Sequence, residues 1–139
     1  MNTPAASTRR TVLIVEDSRA QAMRLRGVLE AEALEVVVAR TGQEGLDLAG
    51  LLRPDVIILD VGLPDINGFN VCLMLQAQAA TARIPVIMLT QLDNNLAALR
   101  GLESGAIEFI PKDDFADAVL LESLRQMGVL TRPCPAVQP

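Results

Sequence analysis

The sequence contains no histidine. That excludes Ser-His-Asp and Cys-His catalysis, histidine-ligated zinc and any phosphohistidine within this chain. Tryptophan and tyrosine are also missing, and three phenylalanines are the only aromatics. With a net charge of −5 and no cluster of basic residues, neither phosphate-backbone binding nor base stacking is expected, so nucleic acid is not an expected partner. Cys72 and Cys134 form no metal motif and no disulfide framework, which suits a reducing, cytoplasmic location. No apolar run approaches the roughly 20 residues of a membrane-spanning helix. The stretch Met1–Arg10 lacks the apolar segment of a secretory signal. Lysine occurs once, at Lys112, against eleven arginines.

What is present is a chain able to fold. Half of its 139 residues are apolar, and the 21% that are charged are dispersed. This argues for one domain with an adequate core and against disorder. Arg10–Val15 carries the β-branched run TVLIV, as a strand buried on both faces would. Ser18 can cap a helix running to about Ala33, with Ala22, Leu25, Val28 and Leu29 on one face. Glu35–Ala39 predicts a second strand, and Thr41 can cap a helix that reaches Leu52 and stops before Pro54. Asp55–Asp60 predicts a third strand ending in a carboxylate. The turn-rich stretch Gly62–Gly68 predicts a loop, and a helix follows from about Phe69 to Ala80. Pro85–Leu89 predicts a fourth strand ending at Thr90. Asp93 can cap a helix ending near Gly105. Ile107–Ile110 predicts a fifth strand, and Asp114–Met127 a last helix with Val119, Leu120 and Leu124 at helical spacing.

Strand and helix thus alternate five times with short links. Such alternation predicts an α/β fold, a doubly wound five-stranded parallel sheet of order 2-1-3-4-5. The expected domain spans 11–128, after a flexible segment 1–10 and before a Pro-rich extended tail 129–139. Cys72, among Val71, Leu73 and Leu75, reads as a small core residue.

In sheets of this kind the site lies beyond the carboxyl ends of the strands. Here those ends carry Glu16, Asp17, Asp60, Thr90 and Lys112. Three carboxylates in one crevice repel and raise one another's pKa unless a cation neutralises them. With oxygen ligands and neither His nor Cys, the suited cation is Mg²⁺ or Mn²⁺. A lysine and a hydroxyl beside it suit the equatorial oxygens of a transferred phosphoryl group, and an aspartate can accept one. Lysine kept at a single position suggests a place for a compact ammonium where a planar guanidinium would not fit.

The stretches VLIVEDS, PDVIILDVGLPDING, IPVIMLT and GAIEFIPK stand in an order and spacing that resemble a bacterial two-component response-regulator receiver domain of the stand-alone, CheY-like kind. The resemblance covers about Thr11 to Met127. It implies a flavodoxin-like (βα)5 fold and a signalling switch rather than a metabolic enzyme, one that catalyses only its own aspartyl phosphorylation and dephosphorylation. Residue by residue, it implies that Asp60 is the phosphoacceptor. Mg²⁺ would be held by Asp17, Asp60 and the Gly62 backbone carbonyl, with Glu16 behind them. Thr90, the Gln91 backbone and Lys112 would meet the phosphoryl group, and Phe109 stands where the family has its switching aromatic. Implied partners are a histidine kinase or phosphotransfer protein and a separate downstream protein. A homodimer is implied through the helix over 93–105, the fifth strand and the last helix.

Three positions depart from the family pattern. Asp113 follows the lysine where proline is usual, and Pro111 precedes it instead. Gln91 is larger than the small residue usually found after the threonine. Phe109 lacks a hydroxyl. Two other functions fit the residues less well. A phosphatase with an aspartate nucleophile needs a second acid two residues on, and that position is Gly62. A receiver-like interaction module acting without phosphorylation typically loses the acceptor, an acid or the lysine, and this chain keeps them all.

Overall fold

In a computed structural model of the chain, residues 9–91 and 103–130 are described. Five short strands form the sheet, and the central ones are so apolar that both faces must be covered. The five are β1 (Thr11–Val15), β2 (Glu35–Ala39), β3 (Val56–Leu59), β4 (Val86–Thr90) and β5 (Glu108–Pro111). All four residues of β3 and all five of β4 are buried. Pairing is parallel throughout, in the order β2-β1-β3-β4-β5, the doubly wound flavodoxin-like arrangement expected from the alternation.

Four described helices cover the sheet: α1 (Arg19–Glu30), α2 (Gly42–Leu52), α3 (Gly68–Ala77) and α4 (Ala116–Gln126). One layer packs Leu25 and Leu29 of α1 and Leu120 and Leu124 of α4 onto Ile14, Ile58 and Ile87. The other packs α2 and α3, through Leu46, Ala49, Cys72 and Leu75, onto Leu13, Ile57 and Met88. Each fully buried Leu, Ile or Val contributes roughly 1.5–3 kcal/mol, so both layers are strongly held. Cys72 is fully buried among them, and burial pushes its thiol pKa up. The helix expected over 93–105 falls largely outside the described residues, as do Cys134 and most of both termini; of the implied dimer face, only the fifth strand and the last helix are described.

Differences from the sequence reading have local causes. The first helix ends three residues before Ala33, because Ala33 takes a left-handed conformation (φ 66°). The chain then turns back, the Leu34 N–H bonds the Leu29 carbonyl at 3.4 Å, and Leu34 enters the core. The third helix stops at Ala77 rather than Ala80: Gln78 is extended, and the buried Thr81 hydroxyl donates to the Leu75 carbonyl at 2.7 Å. Val119, at helical spacing with the core residues of α4, points outward and is 42% exposed. The packed body runs past residue 128, since Val129 and Leu130 are buried in the α1/α4 layer.

Strand register sets the position of the site. Val15 lies opposite Leu59, and Thr90 opposite Pro111. The residues that follow β1, β3 and β5 therefore leave the sheet along one edge.

Candidate functional site

Glu16 and Asp17 follow β1, Asp60 follows β3, Thr90 ends β4, and Lys112 follows β5. All five line a single cleft of about 590 Å³, with Gly62 and Gln91 also on its wall. Backbone bonds fix each approach. The Glu16 N–H reaches the Ala39 carbonyl (2.9 Å), the Asp60 N–H the Val15 carbonyl (3.0 Å) and the Lys112 N–H the Thr90 carbonyl (2.7 Å).

The loop after Asp60 is pinned from three sides. Asp65 accepts from the Gly42 and Gln43 N–H groups at 2.7 and 2.9 Å, at the start of α2. These bonds hold its carboxyl pKa below the usual value. Asn67 caps α3 through the Phe69 N–H at 2.7 Å. Gly68 permits the close approach, because a Cβ there would lie 2.4 Å from the Asp60 carbonyl oxygen.

One carboxylate oxygen from each of Glu16, Asp17 and Asp60 lies within 4.8 Å of the others. Asp17 is exposed, whereas the side chains of Glu16 and Asp60 are only 8% and 12% accessible. Burial, then the neighbouring Glu16 charge, raises the Asp60 pKa; Lys112 and the Gly62 N–H pull the other way without cancelling it. Such a trio, oxygen-only and short of positive charge, fits a hard divalent cation.

The ammonium of Lys112 lies 2.7 Å from Glu16 Oε1 and 3.6 Å from Asp60 Oδ1. It also donates to Gln21 Oε1 on α1 at 2.5 Å. The unusual Pro111 does not divert it. Pro111 closes β5, an edge strand where a missing N–H is tolerated. Asp113 takes up a local role: its carboxylate accepts from the Phe115 N–H at 2.9 Å and its carbonyl from the Ala116 N–H at 3.1 Å, opening α4.

Of the sequence-predicted site residues, Phe109 alone lies outside the cleft. Half-buried, it packs against the α2/α3 layer. Gln91 is exposed at the mouth of the cleft. Gln21 escaped sequence reasoning. Its only signal was the pattern Ser18-x-x-Gln21, which points to a helix cap rather than to a lysine distant in sequence.

The sequence model of the response regulator receiver domain matches residues 12–125. The chain belongs to that family. Among curated relatives, this receiver domain is 38% identical over 116 residues to the response regulator PleD of Caulobacter vibrioides, covering 84% of this chain and 25% of PleD. It is 36% identical over 104 residues to the DNA-binding response regulator MtrA of Mycobacterium tuberculosis, covering 75% of this chain and 44% of MtrA. The chain thus spans a quarter to under half of these relatives. The crystal structure of the chemotaxis response regulator CheY4 of Vibrio cholerae superposes with a TM-score of 0.78 at 30% identity, covering 86% of this chain and 98% of that one. Membership places the receiver domain in two-component signalling and confirms the fold expected from the motifs. Among the described residues, no helix is long and apolar enough to cross a membrane.

Proposed function

We propose that this receiver domain is a phosphorylation switch in which Asp60 accepts a phosphoryl group from a histidine kinase or phosphotransfer protein. The observation that carries the reading is the meeting of Glu16, Asp17 and Asp60 with the ammonium of the chain's only lysine in one cleft. Asp17, Asp60 and the Gly62 carbonyl would hold Mg²⁺, with Glu16 supporting it from behind. The ion supplies positive charge against the crowded carboxylates and the incoming phosphoryl oxygens.

The chain's own groups do the rest. An Asp60 carboxylate oxygen forms the new bond to phosphorus. The bond from phosphorus to the donor's histidine nitrogen breaks, and its electron pair leaves with the imidazole, which picks up a proton from solvent. Thr90, the Gln91 backbone N–H and Lys112 receive the equatorial oxygens. The added charge and three acceptor oxygens draw Thr90 and Lys112 inward, and Phe109 repacks as the loops after β4 and β5 follow. A downstream protein reads the new shape, in the cytoplasm, and dimerisation belongs to this output. MtrA is named for DNA binding; for the residues of this chain, the charge and composition keep nucleic acid off the list of partners.

The test is intact mass after incubation with acetyl phosphate. With Mg²⁺ the mass should rise by one phosphoryl group; without Mg²⁺, or in Asp60→Asn, it should not. Equal labelling of Asp60→Asn and wild type would move the acceptor elsewhere, and no labelling at all would favour an interaction module that works without phosphorylation.

A further inference from the structure

Gln21 stands three residues after the helix-capping Ser18, whose hydroxyl accepts the Gln21 N–H at 3.3 Å. In a Ser-x-x-Gln cap the glutamine side chain ordinarily reaches back to the N–H of the capping residue. Here that N–H is already taken, at 3.1 Å, by Glu16 Oε2. The other Glu16 oxygen accepts from Lys112 at 2.7 Å. Glu16 therefore occupies the cap and releases the Gln21 amide oxygen, which meets the same ammonium at 2.5 Å.

An ammonium has three donors. Two are committed to Glu16 and Gln21, and Asp60 Oδ1, at 3.6 Å, lies beyond hydrogen-bond distance. The helix carrying Gln21 is held independently of this contact. Leu25 and Leu29 of α1 are in the core, and Arg24 pairs with Asp117 of α4 at 2.6 Å. Gln21 is thus a fixed acceptor to which the flexible lysine is drawn.

We infer that Gln21 is a positioning residue that parks Lys112 away from Asp60, so that a phosphoryl group must compete with Gln21 for the ammonium. The inference rests on the phosphorylation reading above and adds what opposes it. Removing the Gln21 oxygen leaves two ammonium donors uncommitted and takes away the acceptor that draws the ammonium toward α1, so that it can turn to Asp60, which favours the engaged state. A carboxylate in its place adds charge, holds the ammonium harder and opposes that state.

The single lysine makes the test direct, because lysine labelled with ¹⁵N at Nζ reports on Lys112 alone. The variants are Gln21→Met, which keeps the length of the side chain without its oxygen, and Gln21→Glu, which keeps an oxygen. The ammonium signal of Gln21→Met should be displaced from its wild-type position, reporting the change of acceptor from Gln21 to Asp60, while backbone amide signals of the sheet stay in place. With Mg²⁺ and beryllofluoride as the phosphoryl mimic, Gln21→Met should bind several-fold more tightly than wild type and Gln21→Glu several-fold more weakly. An unchanged ammonium signal in Gln21→Met overturns the inference, and so does equal beryllofluoride affinity in all three proteins. A wild type that binds no beryllofluoride sinks the phosphorylation reading itself, and the competition with it, whatever the ammonium signal shows.

Discussion

Strand β3 is flanked by two aspartates in opposite circumstances. Asp55, before its first residue, sits at the amino edge of the sheet. It accepts the Thr11 N–H at 2.8 Å and pairs with Arg10 at 3.7 Å, with both side chains well exposed to water. Asp60, after its last residue, faces the cleft, is 12% accessible, and has Glu16 and Asp17 beside it. The first aspartate is satisfied by what surrounds it and ties two strand starts together. The second has a raised pKa, because burial takes it out of water and the Glu16 charge lies beside it. The same residue type serves structure at one end of a strand and, in the proposed switch, chemistry at the other. The difference lies in which neighbours the register delivers.

The largest expected contrast is in phosphoryl acceptance. Asp60→Asn should abolish the mass increase, and Asp55→Asn should leave its rate within experimental error of wild type. Loss of labelling in Asp55→Asn with the fold intact would erase the distinction between the two ends.

Next comes the response to metal. An ion that binds the folded state alone raises the unfolding midpoint as its concentration rises. Mg²⁺ should stabilise the wild type and Asp55→Asn alike, and Asp60→Asn much less. The affinity should be weak, because Mg²⁺ gives up its waters reluctantly. Calorimetric scans at increasing Mg²⁺ check this, and an equal shift in all three proteins would put the ion elsewhere.

Stability without metal should move in opposite directions. The raised pKa of Asp60 means that the folded state holds its proton more tightly than the unfolded state does, so its contribution to stability falls as pH rises through that raised value. At neutral pH Asp60→Asn removes a charge the fold tolerates poorly, and should stabilise by about 1 kcal/mol, the order of a typical single substitution. Asp55→Asn keeps the acceptor for Thr11 and loses an exposed ion pair, a change of about 0.5 kcal/mol or less in the destabilising direction. Urea unfolding at neutral pH separates the two signs.

The smallest effect concerns Asp65, which docks the loop after Asp60 onto α2. Its lowered pKa gives the opposite linkage. Its stabilisation is present above the ordinary value of 3.8 and is lost as pH falls through the lowered folded value. Asp65→Ala should unfold earlier than wild type at neutral pH, and the gap should narrow under acid. A gap that persists unchanged in acid would mean that the carboxylate charge is not what holds the loop.

Much of this was legible in the residues alone. Uniformly apolar runs such as VIIL of β3 can be satisfied only by a sheet covered on both faces, and the turn residues between them set the alternation. Acids, threonine and lysine directly after such runs are carried to one edge by parallel pairing, which is why Asp60 and Lys112 could be placed together despite their separation in sequence. What stayed hidden depends on side-chain choices between remote partners. Nothing in the sequence says that Glu16 takes the Ser18 N–H and frees Gln21. Nor does helical spacing distinguish Leu120, which faces the core, from Val119 beside it, which faces water. The left-handed turn at Ala33 lacks the glycine that would have announced it.

The central claim is that Asp60, among the acids of this chain, is the group that carries the phosphoryl. It can be tested at the level of the residue. After incubation with acetyl phosphate and Mg²⁺, borohydride reduces an aspartyl phosphate to homoserine, and tandem mass spectrometry of the digested protein locates it. The account predicts homoserine at position 60 alone. Homoserine at Asp17, Asp55 or Asp65 with Asp60 intact, or at no position in protein that has gained the phosphoryl mass, would contradict it.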